Sequence, residues 1–466
     1  MICLRYVPFF FCLSAIIFSC KKESFITSPQ ARLYTSADTL FFDTVFTSTG
    51  SITQSFKIFN SNNQKLRLSQ VKLAGGASSY FKINVNGTAA SEVDNIDIDA
   101  NDSIYVFAQV NINPNSENLP FLIQDSILIS YNGNQQFVKL QAYGQNANFL
   151  NSILIRGNVT WNNTLPYVIL GGILIDSNAI LTIQPGTRIY LHANAPFLVN
   201  GTMMADGTKE DSIVFNGDRL DPDYSVLPAS WPGIFFGSSS KDNYLRHVII
   251  KNAYQGIIAQ GVSVDANPKL TISQCILTNI YDAGVLGINS SIYADNCLIS
   301  NCGSNISIGL GGDYRFIFCT VASYNNFLIA HNSPVLQVSN GAMVSGSTVT
   351  APLNVLFQNC IFWGDHGNVD DEITVNKQGT DPFSVTFDHI LYKAKDIPAG
   401  VNFISPILNM DPMFDSINIA TNYYNFHFTN YPSSPAINSG VASTFLLDLD
   451  DRPRSNGIPD LGCYER

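Results

Sequence analysis

Four acidic residues lie close together in the C-terminal half of the chain, where they could hold a metal ion. Asp365, Asp370, Asp371 and Glu372 fall within eight consecutive positions. Carboxylate oxygens at close spacing are the ligands that Ca²⁺ prefers. The spacing matches no calcium-loop pattern, so a solvated acidic loop is the alternative interpretation. Ca²⁺ is the one cofactor that the sequence suggests.

Aromatic residues are abundant, and four of them are candidate ligand contacts: Trp231, Tyr254, Tyr281 and Trp363. An exposed ring can stack on a sugar ring, and nearby amides can bond its hydroxyls. Trp231 lies in the segment DRLDPDYSVLPASWPGIFF. This segment is predicted to leave a repeat structure and return at a strand, and such excursions often carry function. For each ring, packing in a core or turn is the alternative.

A pentapeptide that starts with cysteine recurs at a fixed interval. CILTN begins at Cys275, CLISN at Cys297 and CTVAS at Cys319, each 22 residues after the one before. Related copies are CIFWG at Cys360 and VIIKN at Val248. A period in the low twenties is typical of one β-helix coil or of a leucine-rich repeat. Because the Leu-x-x-Leu-x-Leu frame and helical spacing are absent, a β-helix is predicted.

The repeat also predicts which side chains point inward. Residues two apart on a strand share a face, so the cysteine and the aliphatic residue fill the interior, and the asparagine lies at the bend. There, stacked amides can hydrogen-bond to one another. The predicted structural ladder comprises Cys275, Cys297, Cys319, Cys360, Asn252, Asn279 and Asn301. Stacked positions lie about 4.7–4.9 Å apart, wider than the roughly 3.8 Å between Cβ atoms in a disulfide, so reduced thiols are favoured over disulfides.

Short strands must therefore position these residues. The sequence predicts an all-β protein, with a right-handed parallel β-helix over residues 151–466, because crossovers between parallel strands are nearly always right-handed. Residues 37–148 alternate apolar and polar positions in runs such as SFKIF and SIYVF. Turn signals such as NSNN and YNGN separate these runs. About seven short strands of this kind predict an immunoglobulin-like β-sandwich.

Two segments resemble known families of β-domains. SFKIFNSNNQKLRLSQV, YFKINV, IDANDSIYVFAQV and VKLQAYGQ resemble immunoglobulin-like domains of the abnormal-spindle and hydin type. LTIQPGT and FLVNGT resemble the opening coils of bacterial β-helix proteins. The second resemblance implies a pectate-lyase-like solenoid.

The end of the chain, with DPMF at 411–414 and a closing motif at 434–466, resembles choice-of-anchor-type β-helix proteins of Bacteroidetes. The motif pieces are DPMF, SPAINSG, DLDDRPR and DLGCYER. The chain departs from the usual pattern at Asn438, Asp451 and Cys463. The resemblance implies a cell-envelope protein whose acidic end closes the last coil, with Arg452 or Arg454 pairing the carboxylates. It implies no reaction.

The first residues predict the cellular location of the protein. Residues 1–19 carry one positive charge, Arg5, before an apolar run that is too short to span a bilayer, as in a secretory signal. The run ends in IFSC, which resembles a lipobox, and Cys20 is the predicted lipid attachment site. Residues 20–36 are predicted to form a tether. In families with a lipobox, a residue other than aspartate after the cysteine implies the outer membrane. The resemblance therefore implies an outer-membrane lipoprotein that faces the periplasm or the cell surface.

Charge and missing motifs narrow the function. The net charge of −11 and the lack of a basic stripe argue against a nucleic-acid partner. Glycosidases of this fold need paired aspartates with Gly-His-Gly and Arg-x-Lys motifs, and lyases of this fold need a basic residue beside an acidic calcium site. The chain has neither Gly-His-Gly nor Arg-Ile-Lys, and arginine is sparse in the predicted coils.

The leading hypothesis is therefore a lipid-anchored, non-catalytic envelope protein that binds a glycan, another polymer or an envelope protein through its β-helix. One alternative is a polysaccharide lyase or glycoside hydrolase on the same fold. Another is a purely structural surface protein. The sequence does not predict an oligomeric state.

Overall fold

The computed structural model describes residues 24–47, 50–344, 346–429, 433–454 and 457–466. The predicted signal 1–19 and Cys20 lie outside these residues. The described chain forms two compact units. One comprises residues 24–42, 50–113 and 122–142, and the other comprises residues 43–47, 114–121 and the described part of 143–466. No helix in these ranges is long and apolar enough to cross a bilayer.

The N-terminal strands form two antiparallel sheets. In chain order they are β1 (Leu33–Thr35), β2 (Thr39–Phe46), β3 (Gln54–Asn60), β4 (Leu66–Leu73), β5 (Phe81–Val85), β6 (Thr88–Ala89), β7 (Glu92–Ile98), β8 (Ser103–Val110), β9 (Phe121–Tyr131) and β10 (Asn134–Gln145), with a 3-10 turn at Gly76–Ser78. The strand orders are β1-β3-β8-β5-β6 and β2-β10-β9-β4-β7. Alternate side chains of β8 are buried, as period-two patterning requires. The rings of Phe42 and Phe81, one from each sheet, lie 5.6 Å apart, so the sheets pack face to face.

The rest of the chain is dominated by one parallel sheet that winds in coils. Its strands are β11 (Asn148–Leu150), β12 (Ile153–Ile155), β13 (Asn158–Trp161), β14 (Tyr167–Ile169), β15 (Ile173–Ile175), β16 (Ile180–Ile183), β17 (Arg188–Leu191), β18 (Phe197–Val199), β19 (Thr202–Asp206), β20 (Ile213–Gly217), β21 (Ile234–Phe236), β22 (Asn243–Arg246), β23 (Val248–Lys251), β24 (Ile257–Gln260), β25 (Leu270–Ser273), β26 (Ile276–Asp295), β27 (Leu298–Ile317), β28 (Thr320–Tyr324), β29 (Leu336–Ser339), β30 (Gly341–Val344), β31 (Ser347–Thr350), β32 (Leu353–Gln358), β33 (Ile361–Asp365), β34 (Ile373–Asn376), β35 (Phe383–Asp388), β36 (Leu391–Tyr392), β37 (Asn402–Ile404) and β38 (Ile407–Leu408). Two further strands, β39 (Phe414–Asn418) and β40 (Tyr423–Phe428), form an antiparallel hairpin.

Each coil contributes to three faces. Face 1 contains β11, β14, β17, β20, β23, β28, β33, β36 and β38; face 2 contains β12, β15, β18, β21, β24, β29 and β34; face 3 contains β13, β16, β19, β22, β25, β32, β35 and β37. The long strands β26 and β27 pass through all three faces. We number the coils from coil 1, which starts at β11, to coil 10, which starts at β36. The predicted all-β class, with N-terminal antiparallel sheets and a parallel β-helix, is confirmed.

The interior of the β-helix is filled by alternate residues of each short strand. In β15, Ile173 and Ile175 are buried in the core while Leu174, between them, points outward. Parallel pairing repeats this in the next coil, where Ile173 lies beside Phe197 and Ile175 beside Val199. Burying each such side chain contributes roughly 1.5–3 kcal/mol, so the stacked rows account for much of the stability.

The corners explain why the chain is rich in asparagine. At the bend between face 3 and face 1, the residues Gln274, Asn296 and Asn359 have φ values of 50°, 50° and 55°. Asn279 and Asn301, at the end of face 1, have φ values of 57° and 50°. Among residues other than glycine, asparagine is one of the few that adopts this left-handed conformation readily.

The chain beyond coil 10 folds back over face 1. Outward-pointing face 1 residues from coils 7 to 10 form a second apolar cluster with the β39–β40 hairpin and the last residues of the chain. Its members include Leu298, Ala322, Tyr324, Ile361, Trp363, Leu391, Phe414, Phe426, Phe428 and Leu461. In coils 7 to 10 the hairpin and the C-terminal residues therefore occupy the outer surface of face 1.

The C-terminal motif lies along the flank of the coils. The buried Arg454 guanidinium donates to Asn296 Oδ1 at 2.6 Å and forms an ion pair with Glu465 at 3.2 Å. Farther along, the Cys463 amide donates to Thr320 Oγ1 at 3.0 Å.

The family resemblance implies that Arg452 or Arg454 pairs the acidic cluster Asp448, Asp450 and Asp451. Arg452 lies 3.8 Å from Asp450, whereas the acidic partner of Arg454 is Glu465. The motif contacts several coils, from Gln274 between coils 5 and 6 to Asn359 between coils 8 and 9, rather than only the last coil.

Candidate functional site

Two tyrosines that the sequence singled out form an exposed stack on the β-helix. The rings of Tyr254 and Tyr281 lie 5.5 Å apart at an angle of 24°, and 47% and 53% of their surfaces are exposed. The stack follows from the register, because Tyr281 occupies the position of Tyr254 one coil later, at the corner between faces 1 and 2. Neighbouring rings at this spacing stabilise one another and form a rigid aromatic surface.

The stack ends at a glycine. Ile280 pairs with Cys302, which places Gly303 next to Tyr281 in the following coil. A Cβ on Gly303 would approach the Tyr281 carbonyl oxygen to 2.3 Å, so glycine is required there. Because Gly303 has no side chain, the next coil places no side chain at the stacked position beside Tyr281, which is 53% exposed.

A polar groove begins at this point, and we call it the tyrosine groove. Its volume is about 690 Å³, and its lining residues include Tyr281, Asp282, Gly303, Ser304, Leu286, Ser307, Asn332 and Gln337. Gln255 Nε2 donates to Asp282 Oδ2 at 2.8 Å, and Gln337 Nε2 donates to Ser304 Oγ at 3.2 Å. The groove thus combines one aromatic face with a carboxylate, amides and hydroxyls that are held in place by their neighbours.

One wall of the tyrosine groove is anchored by a buried pair. The loop between β28 and β29 supplies the wall residues Leu328–Ala330 and Asn332–Ser333. Between them, His331 turns inward, and its Nε2 lies 2.8 Å from Oε1 of Glu372. Glu372 also accepts the Val335 amide at 3.3 Å. Both side chains are almost completely buried, at 2% and 0% exposure, so the wall is fixed to coil 9.

A second groove lies on face 3, and we call it the aspartate groove. Its volume is about 710 Å³. At its centre, Asp313 accepts hydrogen bonds from Tyr293 Oη at 2.9 Å and from Asn354 Nδ2 at 2.7 Å. The Arg315 guanidinium lies 5.3 Å from the Tyr293 ring centre. Val262 and Phe383 contribute apolar walls.

Asp295 and Arg315 line a smaller cavity of about 440 Å³ that shares Tyr293 with the aspartate groove. Burial raises the pKa of Asp295 to about 6, although Asn296 and Ser273 donate to its Oδ1 at 2.9 Å each. Face 3 therefore carries two carboxylates, one guanidinium and one phenol on adjacent coils.

Trp231 and Trp363 differ from the expectation that they contact a ligand. Trp231 is completely buried, its Nε1 donates to the Lys251 carbonyl oxygen at 2.9 Å, and its ring stacks on Phe215. Trp363 is 6% exposed and belongs to the apolar cluster beneath the β39–β40 hairpin. Neither ring is open to a ligand, which leaves Tyr254 and Tyr281 as the accessible members of the predicted set.

The four acidic residues proposed for Ca²⁺ have separate partners. Glu372 is bound to His331, as described above. Asp371 Oδ1 accepts the amides of Lys395 and Asp396 at 2.7 and 2.8 Å, and Asp365 lies 3.4 Å from Lys393 Nζ. Asp370 is exposed, 3.8 Å from Lys395. Within the described residues, no group of three or more histidine, cysteine or acidic side chains is arranged to hold a metal ion.

The cysteine ladder lies in the interior, as the repeat predicted. Cys275, Cys297, Cys319 and Cys360 are buried and carry free thiols. Burial raises the pKa of Cys297 and Cys360 well above that of an exposed thiol. Because all four side chains are almost completely buried, they pack as small apolar residues.

Part of the asparagine ladder is continuous. Asn279 Nδ2 donates to Asn252 Oδ1 at 2.7 Å, and Asn252 Nδ2 donates to Asn216 Oδ1 at 2.8 Å. Asn301 instead accepts the Tyr324 amide at 3.1 Å. The ladder holds the corner beside the exposed tyrosines.

The sequence interpretation missed the polar residues of both grooves. Gly303 and Ser304 could have been found, because Gly303 lies one 22-residue period after Tyr281. No local signal identifies Asp313 or Asn354, which meet only because residues 41 positions apart stack in adjacent coils.

Comparisons with known proteins return only remote likenesses. No protein-family model and no curated protein matches the chain. Among solved structures, a family 123 glycoside hydrolase from Clostridium perfringens is 11% identical with a TM-score of 0.18, over 25% of this chain and 25% of that one. A Porphyromonas gingivalis protein of unknown function is 10% identical with a TM-score of 0.19, over 27% of this chain and 59% of that one.

A third solved structure overlaps more of the chain. The catalytic unit of a thermostable GH87 α-1,3-glucanase from Streptomyces thermodiastaticus is 11% identical with a TM-score of 0.22, over 76% of this chain and 89% of that one. The chain spans a quarter and about three-fifths of the lengths of the first two structures. At these scores the likenesses carry no argument about function, which must come from the grooves themselves.

Proposed function

We propose that the chain is a lipid-anchored envelope protein that binds a polysaccharide, without cleaving it, in the tyrosine groove. The observation that carries the proposal is the exposed, stacked ring of Tyr281 in the lining of a polar groove of about 690 Å³. A pyranose ring offers C–H groups on its faces and hydroxyls at its edge. The tyrosine ring would pack against the face, while Asp282, Ser304 and Gln337 would bond the hydroxyls.

Charge favours an uncharged glycan. The chain carries a net charge of −11, and the groove itself contributes Asp282. An acidic polysaccharide would meet net repulsion, whereas hydroxyl groups can donate to the carboxylate without a charge penalty. The predicted lipid at Cys20 would hold this binding surface at the outer membrane, facing the periplasm or the cell surface.

Affinity electrophoresis tests the proposal. The mature protein would be run through gels containing β-1,3-glucan, β-1,4-glucan, α-1,3-glucan, xylan, mannan or polygalacturonate. We expect retardation by at least one neutral polymer, and loss of at least about tenfold in affinity for Tyr281→Ala because a central aromatic contact is removed. Tyr423→Ala, which changes an equally exposed tyrosine on the β39–β40 hairpin, is the matched control.

The outcomes separate the three hypotheses. Retardation that survives Tyr281→Ala would place binding elsewhere and overturn the proposal. No retardation by any polymer, with no products released, would favour a purely structural surface protein. A pull-down from outer-membrane extracts tests for a protein ligand. An envelope protein that the wild type retains and Tyr281→Ala loses would indicate that the groove binds a protein instead of a glycan.

The aspartate groove favours a second candidate function, glycan cleavage. Tyr293, Asp313 and Arg315 meet on one outer face, with Asp295 beside them. A lyase or glycosidase needs acid, base and charge-stabilising groups in one groove. New reducing ends or unsaturated products from the same polymers, abolished by Asp313→Asn, would establish catalysis and contradict the non-catalytic proposal.

A further inference from the structure

The outward side chains of face 2 form a continuous row with one residue from each coil. From coil 1 to coil 6 the row is apolar, and from coil 7 to coil 9 it is polar. The apolar members are Leu154, Leu174, Leu198, Phe235, Ile258 and Leu286, and the polar members are Ser307, Gln337 and Thr374. We call this row the face 2 track.

Register and burial show that the apolar members point away from the core. Leu198 pairs with Leu174 on one side and with Phe235 on the other. Their strand neighbours, such as Phe197 and Val199, belong to the interior cluster, whereas the track residues do not. Ile258 also points outward by this register, but at 7% exposure it offers little accessible surface.

The track leads into the tyrosine groove. Leu286, Ser307 and Gln337 are members of the row and also line the groove. The nine stacked positions span eight steps of about 4.8 Å, or roughly 38 Å. The groove is therefore the polar end of a longer surface that runs across the strands, from one coil to the next.

We propose that the ligand is a long, uncharged polysaccharide chain that lies along the face 2 track, with one end in the tyrosine groove. This inference rests on the proposed function and specifies the class of glycan. None of the nine track residues is charged, so the track offers nothing to neutralise an acidic sugar. The accessible apolar side chains of the track, Leu154, Leu174, Leu198, Phe235 and Leu286, would bury the C–H faces of sugar rings, which is favourable in proportion to the apolar area removed from water.

The width of the track favours a polymer over a second protein. A stable protein–protein interface buries about 800 Å² on each partner and needs a broad patch. The apolar row is one side chain wide, and glycines such as Gly172, Gly233 and Gly256 flank it at the preceding corner. A single file of apolar side chains matches one extended glycan chain laid parallel to the coil axis.

Face 3 provides the contrast. Its outward row at the centre of the strands carries Thr271, Tyr293 and Arg315 in coils 5 to 7, which are polar, aromatic and charged in turn. An uninterrupted apolar row is therefore not a general property of the outer surface of these coils.

Chain-length dependence tests the inference. Isothermal titration would compare tetrasaccharides with dodecasaccharides of α-1,3-, β-1,3- and β-1,4-glucan, using the protein and the double variant Leu198→Thr with Phe235→Thr. We expect the dodecasaccharide to bind about tenfold more tightly than the tetrasaccharide, because the longer chain buries additional apolar area. The double variant should bind the dodecasaccharide only as well as the tetrasaccharide. Ile180→Thr, an outward aliphatic residue on face 3 that is 38% exposed, is the matched control.

The outcomes distinguish this inference from the proposed function. Tight tetrasaccharide binding that does not increase with length, or a double variant that binds the dodecasaccharide normally, would overturn the track and leave the groove standing. Failure of both oligosaccharides and all polymers to bind would instead remove the proposed function. Thermal denaturation of each variant confirms that a lost affinity is not lost folding.

Discussion

At the scale of single residues, the outward side chains of the β-helix line its grooves, whereas its inward side chains fill the core in a repeated pattern. Aliphatic side chains fill the interior along the coils, and in coils 6 to 9 buried cysteine thiols join them. Asp295 is an acidic residue whose protonation depends on burial. It is 8% exposed and bears a pKa of about 6 because burial disfavours its charged form.

The raised pKa of Asp295 makes stability depend on pH. Since the pKa rises from 3.8 to about 6 on folding, the folded protein holds more protons than the unfolded chain between these values. Stability therefore falls as the pH rises from 4 to 6, and the loss persists above 6. We expect Asp295→Asn to stabilise the protein by about 1–3 kcal/mol at pH 8 and by little at pH 4.

Urea denaturation at the two pH values measures this difference. Asparagine at position 295 can still accept from Ser273 and Asn296, so the exchange isolates the charge. Asp223→Asn, which changes an exposed carboxylate, should leave stability close to that of the wild type at both pH values. An Asp295→Asn variant that is less stable at pH 8 than the wild type would contradict the assignment.

At the scale of elements, the sequence predicted the repeated coils and missed the segments that fold back against them. The 22-residue period predicts the coils, the inward cysteines and the asparagine corner, because these depend on residues adjacent in the chain or one coil apart. Trp363 is a candidate ligand contact by sequence, with core packing as the alternative, and the structure shows packing: β39 and β40, about 50 residues downstream, cover it. Trp231 was assigned to a loop excursion, yet the returning chain inserts it into the core. Neither contact leaves a local pattern in the sequence.

The β28–β29 loop forms one wall of the tyrosine groove, and a substitution at Gly364 tests whether this wall shapes the binding surface. A Cβ at Gly364 would approach Glu372 Oε1 to 2.1 Å and His331 Nε2 to 2.2 Å, so Gly364→Ala must push the buried pair apart. We expect a loss of about 1–3 kcal/mol in stability and weaker polysaccharide retention, because the displaced His331 no longer fixes the groove wall.

Thermal denaturation and affinity electrophoresis together measure the effect. The matched control is Gly309→Ala in β27, where an added Cβ would have no neighbour within 4 Å. Unchanged stability in Gly364→Ala would show that the pair can shift without loss. Lost stability with unchanged retention would show that the wall does not shape the binding surface.

At the scale of the whole molecule, the predicted lipid determines where the binding surface can act. A tethered protein meets polymers of the envelope at high local concentration, whereas a released one would be diluted. If Cys20 carries the lipid, Cys20→Ser should move the protein from the membrane fraction to the soluble fraction, because a short apolar leader alone cannot span the bilayer. Cell fractionation with immunoblotting, together with mass spectrometry of the mature N-terminus, measures both location and lipid.

Cys12→Ser is the matched control, because it removes a cysteine within the predicted signal and should leave the protein in the membrane. Membrane retention of Cys20→Ser, or equal release of both variants, would mean that another feature anchors the chain.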